Sequence, residues 1–204
     1  IDCPINNSVV TKYPQKEKNP TFIFVSRIVK MKGIEEIIEA FSWIIKSEKQ
    51  AMLWIVGNGE KTYIDFLKEK IKSYHLEKNV TFFGFVSTEK KLRLMGKAHM
   101  LLHASVKEGW GLVVVEAASQ ATPSVVYNVN GLRDVVKNGV TGVVTQKNTL
   151  EELAKETLLL LDDKNTYKKK ATIKNVLVNS KKIIKDKANL YHAYKTSQRM
   201  LIQY

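Results

Sequence analysis

The amino-acid sequence predicts an α/β protein: an open, mostly parallel six-stranded sheet with helices on both faces and a helical extension at the C-terminal end. Three observations predict it. Short apolar runs alternate with amphipathic helical patterns from Thr21 to Glu152 almost without exception. The strand runs are continuously apolar rather than alternating, as expected where helices cover both faces of a sheet. The loops that carry polar and glycine residues (26–32, 57–59, 84–86, 105–111 and 128–131) all follow strands. They therefore converge on one edge, where open α/β sheets bind ligands.

Taken in order, residues 1–20 hold three prolines, Pro4, Pro14 and Pro20, and read as a linker. Thr21–Val25 is a buried strand by its apolar, β-branched content. Ile34, Ile37, Ile38, Phe41, Ile44 and Ile45 recur at helical spacing and place a helix over 33–47. Ala51–Val56 is a second strand, closed by Gly57-Asn58-Gly59. A helix over 61–75 leads to a third strand, Val80–Val86. Thr88 is expected to cap a short helix that runs to Lys97. Met100–Ala104 is a fourth strand, followed by an apolar helix through Ala117-Ala118-Ser119-Gln120. Ser124–Tyr127 is a fifth strand, Asn130-Gly131 a turn, 132–138 a short helix and Gly142–Val144 the sixth strand. Thr149-Leu150-Glu151-Glu152 is a capping box that opens a further helix. The Lys-rich remainder reads as helical.

Composition narrows the function. The chain has 204 residues, 44% hydrophobic and 26% charged, as in an ordinary globular domain. No apolar run approaches the roughly 20 residues that span a bilayer, and no signal-peptide pattern opens the chain. A single cysteine, Cys3, excludes an internal disulfide framework and suits a reducing compartment. The net charge of +13 invites a nucleic-acid reading. The lysines, however, are spread along amphipathic helices, without the aromatic and basic strand pattern of an RNA-binding module. A basic surface equally favours anionic membranes and lipid-linked acceptors. The four histidines and one cysteine show no metal-ligand spacing. There is no P-loop, and no Gly-x-Gly-x-x-Gly follows the first strand.

Chemistry concentrates in Lys107-Glu108-Gly109-Trp110-Gly111-Leu112-Val113-Val114-Val115-Glu116. Glu108 lies in a glycine-flanked turn, and Glu116 rides the helix that follows. A glycine-rich loop feeding a helix N-terminus can hold phosphate, because free N–H groups and the positive dipole end point outward. Glu116 lies two turns into an apolar helix and is costly there unless partnered. Either a lysine or the vicinal hydroxyls of a ribose would serve. Arg27 and Lys32, in the loop after the first strand, supply two cations beside a second helix start at Gly33. No Asp-x-Asp occurs, so a diphosphate here is expected to be neutralised by protein cations and a helix dipole rather than by a metal. His103, at a strand end beside this loop, reads as a hydrogen-bonded structural histidine or as a catalytic one.

From about Phe22 to Leu161 the chain resembles the C-terminal, donor-binding domain of a family 4 (group 1) glycosyltransferase of the GT-B fold, a Rossmann-like half. The parts come in the family's order: Ser26-Arg27 to Lys32-Gly33, Gly57-Asn58-Gly59, Phe83-Gly84-Phe85-Val86, then Glu108 to Glu116. Pro123-Ser124-Val125-Val126 and Gly139-Val140-Thr141-Gly142 complete the series. The family usually has glycine where Ser26, Ala121 and Asn130 stand. The resemblance implies a retaining transfer of a hexose from a nucleoside-diphosphate sugar to an acceptor hydroxyl, with no cofactor and no metal. It implies Arg27 and Lys32 on the donor diphosphate with Gly111 and Leu112, and Glu108, Gly109, Trp110 and Gly111 at the sugar. Glu116 would hold the ribose, and Phe85, Val86 and Gly57 would flank the base. Arg27, Lys32 and Glu108 are then the catalytic set. UDP-sugars are the expected donors, with GDP-mannose next.

The family's enzymes also carry an N-terminal acceptor-binding domain, which is expected to lie outside this chain. The resemblance therefore implies 1–20 as interdomain linker and 21–161 as the donor domain. Residues 162–204 become helices that cross towards the missing domain. The isolated half is expected to bind donor but to transfer poorly or not at all, and so to be inactive alone. Two other functions fit the same fold: a non-catalytic nucleotide-sugar binding module, and a sugar-nucleotide epimerase, for which no acid–base pair stands out. Nucleic acid is not an expected partner. Cytoplasmic residence is expected from the cytosolic supply of nucleotide sugars, with peripheral association at the inner membrane face.

Overall fold

A computed structural model of the chain describes residues 14–162. Its six strands are β1 (Thr21–Val25), β2 (Met52–Val56), β3 (Val80–Gly84), β4 (Met100–His103), β5 (Ser124–Val126) and β6 (Gly142–Val144). They form one sheet in the order β3-β2-β1-β4-β5-β6, and every neighbouring pair is parallel. The helices are α1 (Ile34–Ser47), α2 (Lys61–Ser73), α3 (Thr88–Lys97), α4 (Leu112–Ser119) and α5 (Leu150–Asp162). The chain winds outward from β1 to β3, returns to β4 at the other side of β1, and winds outward again. The crevice beyond the carboxyl ends of β1 and β4 is therefore the topological switch point, where such sheets bind ligands.

The alternation of side chains along β1 explains why both faces are covered. Phe22 and Phe24 join α1, α2 and α5 in one core, with Ile34, Ile37, Phe41, Leu67 and Leu153 buried against them. Ile23 and Val25 point the other way, into a second core with Leu94 and Met95 of α3 and Val114, Val115 and Ala117 of α4. Each large side chain so buried stabilises the sheet by about 1.5–3 kcal/mol.

The differences from expectation lie at element ends. Ser87, not Thr88, caps α3; its side chain accepts from Lys90 N–H. β3 stops at Gly84, whose φ of 65° turns the chain and releases Phe85 and Val86 from the sheet. Tyr127, Ala104 and Ala51 fall just outside their strands. The expected helix over 132–138 is instead a run of turns, with Leu132 and Arg133 N–H both bonded to Val129 O. Asp134 accepts from Gly131 N–H at 2.9 Å, and Asn138 bridges to Gly142, so neither end continues as helix. The capping box is half made: Thr149 accepts from Glu152 N–H, while the Glu152 carboxylate accepts from Gln146 and Lys147 N–H. The helices expected beyond α5 lie outside the described residues.

Residues 14–20, the described end of the expected linker, run along the amino edge of the sheet. Glu17 N–H bonds to Lys97 O at 3.0 Å. Lys16 Nζ donates to Ala98 O, Ala121 O and Thr122 Oγ1 at 2.8, 3.1 and 2.8 Å.

Candidate functional site

The loops at the carboxyl edge are tied to one another by backbone bonds before any side chain enters. Ser26 N–H bonds to Val56 O, Ile28 N–H to Asn58 O and Gly57 N–H to Gly84 O, which joins the ends of β1, β2 and β3. Across the switch point, Val106 N–H donates to Met31 O at 3.2 Å, and the Ser105 hydroxyl shares its one proton between Met31 O at 3.0 Å and Lys107 O at 2.7 Å. That pair of bonds clamps the turn after β1 to the loop after β4, and so brings Lys32 to Glu108.

Two glycines make the Glu108 loop possible. Gly111 has φ 58° and lies against Gly131 O; Gly131 has φ 83° and lies against the carbonyls of Glu108 and Gly109. Any Cβ at either position would collide with backbone, and both conformations favour glycine. The Glu108 loop and the 130–131 turn therefore hold one another. Gly111 is also the N-cap residue of α4, and no side chain caps that helix. Its amino end is open to a ligand anion.

The result is a cavity of about 360 Å³ lined by Ser26, Lys32, Lys91, His103, Glu108 and Glu116, with Gly109, Trp110 and Leu112 at its wall. Lys32 Nζ lies 2.7 Å from Glu108 Oε2, with side chains 12% and 18% exposed. Lys91 Nζ lies 2.7 Å from Glu116 Oε2. Each acid is thus half-enclosed and held by one lysine, which offsets the cost of placing a carboxylate there. His103 is buried, and its Nε2 lies 3.6 Å from Glu108 Oε2, beyond hydrogen-bond range. Burial holds its pKa well below the usual value; Glu108 opposes that shift and Lys32 adds to it. The imidazole is neutral at pH 7.

A second cavity, of about 500 Å³, adjoins the first through Val25, Ser26 and Lys91. Arg27, Gly57, Asn58, Phe85, Val86 and Thr88 line it. Phe85 is 85% exposed at its rim. Arg27 therefore stands with the residues expected at the base, and Lys32 with the two acids. Among the described residues no group of three His, Cys, Asp or Glu side chains stands close enough to hold a metal ion.

The structure brings Lys32, Glu108, Gly109, Trp110, Leu112 and Glu116 into one cavity, and Arg27, Gly57, Phe85 and Val86 into its neighbour. Sequence reasoning missed Lys91 and undervalued Ser26. The signal for Lys91 was its place in the first turn of a helix that follows a strand end. His103, read as a hydrogen-bonded or a catalytic histidine, is buried with no hydrogen bond at either ring nitrogen.

The profile of one family, the glycosyl transferases group 1, matches residues 8–175. The chain belongs to that family. It is 31% identical over 165 residues to the poly(glycerol-phosphate) alpha-glucosyltransferase of Bacillus subtilis, covering 80% of this chain and 24% of that protein. The chain thus spans about a quarter of that curated relative. Anabaena HepE, solved in complex with UDP, superposes with a TM-score of 0.74 at 25% identity, over 88% of this chain and 49% of that one. The C-terminal domain of LpcC, a group 1 family protein of Francisella tularensis, shares the fold with a TM-score of 0.68 at 20% identity, over 86% of this chain and 95% of that one. No described helix of this chain is long and apolar enough to cross a membrane.

Proposed function

We propose that this chain is the donor-binding half of a retaining glycosyltransferase that moves a hexose from a nucleoside-diphosphate sugar to an acceptor hydroxyl. The acceptor is held by a companion domain outside these residues. The observation that carries the reading is the pairing of Glu108 and Glu116 on one cavity at the amino end of α4, each neutralised by a lysine that a ligand can displace. UDP in the HepE structure and the half-length match to HepE support it.

In this reading the ribose diol replaces Lys91 on Glu116, and the sugar hydroxyls replace Lys32 on Glu108. The freed lysines then face the diphosphate, with Arg27 from the adjoining cavity. Breaking the bond from the anomeric carbon to the phosphate oxygen builds positive charge on the sugar ring and negative charge on the leaving diphosphate. Fixed cations and the N–H groups opening α4 stabilise that charge without reorganising. No metal is required, because three side-chain cations and a helix dipole carry the compensating charge. Cytoplasmic residence follows from the cytosolic supply of the donor, and the basic surface favours a lipid-linked acceptor at the inner membrane face.

Calorimetric titration with UDP, GDP, ADP and dTDP on wild type and Glu116→Ala tests this. Saturable binding of one nucleotide, weakened at least tenfold by the substitution, is the expected result. Binding that the substitution leaves unchanged, or steep salt-dependent affinity for nucleic acid in its place, would sink the reading.

A further inference from the structure

His103 is the one buried polar side chain at the site that the reading above does not use. It sits at the carboxyl end of β4, 1% exposed, with its ring edge-on to Phe24 at 6.1 Å. Neither nitrogen has a hydrogen-bond partner. A buried polar group left unbonded costs roughly 1–3 kcal/mol, so its retention calls for a state in which it is bonded. Its Nε2 lies 3.6 Å from Glu108 Oε2, which Lys32 already holds at 2.7 Å.

We propose that His103 is a positioning residue for Glu108: when Lys32 turns from the acid to the donor diphosphate, the imidazole takes up a proton and donates its Nε2–H to Glu108 Oε2 in place of the lysine. The movement required is about half an ångström to one. The proton comes from solvent and no other bond is made or broken, so donor binding carries proton uptake with it.

The charges around the ring support the exchange. Lys32 faces it from the turn after β1 and Glu108 from the loop after β4. Lys91 of α3 and Glu116 of α4 line the same cavity, paired with each other. While Lys32 stays on Glu108 the carboxylate is neutralised, and burial keeps the imidazole uncharged. Once Lys32 leaves, a carboxylate and an arriving phosphate both favour the imidazolium, and Lys32 no longer opposes it. Glu108 keeps a cationic partner throughout and stays in place for the sugar. The inference rests on the donor reading only for what draws Lys32 away.

The first test therefore needs no ligand. Imidazole resonances of His103 are titrated by NMR in wild type, Lys32→Met and Lys32→Met with Glu108→Gln. Lys32→Met should raise the His103 midpoint by about one pH unit or more, and the added Glu108→Gln should remove the rise. Lys32→Gln serves if the methionine variant misfolds. A midpoint that stays put when Lys32 is removed overturns the proposal. The second test measures UDP binding to the full chain near pH 6 in two buffers of different ionisation enthalpy. Wild type should take up a fraction of a proton, and His103→Gln, which keeps an N–H donor but cannot ionise, should bind with none. Equal uptake in both proteins also overturns it. Failure of UDP to bind, beside a raised midpoint in Lys32→Met, counts against the donor reading and leaves the exchange standing.

Discussion

Two histidines stand at opposite ends of β4, and they are bonded in opposite ways. His99, at the amino edge, accepts from Thr21 N–H at its Nδ1, 3.0 Å away, while its backbone N–H donates to Thr21 O. His103, four residues on at the carboxyl edge, has no bond at either ring nitrogen. Burial lowers the pKa of both. At the amino edge Lys16 donates to three oxygens and Thr122 Oγ1 donates to Met95 O at 2.6 Å, while Ser124 Oγ at the start of β5 is left unbonded. The carboxyl edge has a helix with no side-chain cap, two ion pairs facing a cavity and an unbonded ring. The contrast sets a histidine bonded to the neighbouring strand against one whose bonding, in the proposed reading, waits for a donor.

The largest way to break the carboxyl edge is Gly131→Ala. The new Cβ would lie 2.5 Å from Glu108 O and 2.8 Å from Gly109 O, at a φ of 83°. Left-handed strain and the collision together should cost about 3 kcal/mol, read as a lowered urea midpoint. Gly139→Ala is the control: its φ is 73°, but nothing lies within 4 Å of the new Cβ. It should lose only the strain, about 1 kcal/mol. Equal losses at the two sites would mean that the contact with the Glu108 loop is unimportant.

Next in size is the division of labour between the two acids. Glu116→Gln should weaken UDP binding by roughly tenfold or more, the loss of a charged hydrogen bond. Glu108→Gln should leave UDP within about threefold of wild type and weaken UDP-glucose instead, because its partner in the proposed reading is the sugar. Titration of both ligands against both variants gives the answer, and equal effects on UDP would erase the distinction.

Much of this was legible in the sequence, for a physical reason. Apolar runs of five residues between helical periods can hardly be anything but strands covered on two faces, and a parallel sheet then sends every second loop to one edge. The Glu108–Glu116 segment was legible because glycines flank a charge and an acid interrupts an apolar helix. What stayed hidden depends on contacts distant in sequence. Lys91 reads as one of many helix lysines until α3 packs beside α4 and sets it 2.7 Å from Glu116. The run 132–138 has helical residues, but Asp134 turns back to Gly131 N–H and the Gly131 contact with the Glu108 loop fixes the turn first. The missing bonds of His103 are not a property of its sequence neighbours at all.

The amino edge can be broken by acid. His99 is held down to about 4, chiefly by burial and further by Lys16, with Glu17 opposing. A base whose folded pKa lies below its unfolded value near 6.5 binds fewer protons folded than unfolded across that interval. Its contribution is complete above about pH 6.5 and is lost as pH falls towards 4, on the order of 1–2 kcal/mol for a partly exposed ring. His99→Asn keeps an acceptor for Thr21 N–H and has no proton to gain. Urea midpoints at pH 7 and pH 4.5 should therefore fall less in His99→Asn than in wild type, the residual slope being shared by His103.

The smallest effect comes from a third histidine, His75, exposed at the end of α2. Its N–H bonds to Lys72 O, and Leu76 N–H reaches back to Ile71 O, the hydrogen-bond pattern that usually ends a helix with glycine. His75 adopts a φ of 57° without a glycine's freedom. His75→Gly removes left-handed strain of about 1–2 kcal/mol and adds roughly 0.5–1 kcal/mol of unfolded-state entropy, for a net gain of about 0.5 kcal/mol. Ala121 closes α4 in the same way, with a φ of 56°, Ala121 N–H on Ala118 O and Thr122 N–H on Ala117 O. Ala121, however, is fully buried. Ala121→Gly also gives up a packed methyl, worth about 0.8 kcal/mol, which cancels the relief. Thermal unfolding should rise by one or two degrees for His75→Gly and stay level for Ala121→Gly. A gain at the buried site as large as at the exposed one would mean that strain, not packing, decides how the amino edge is closed.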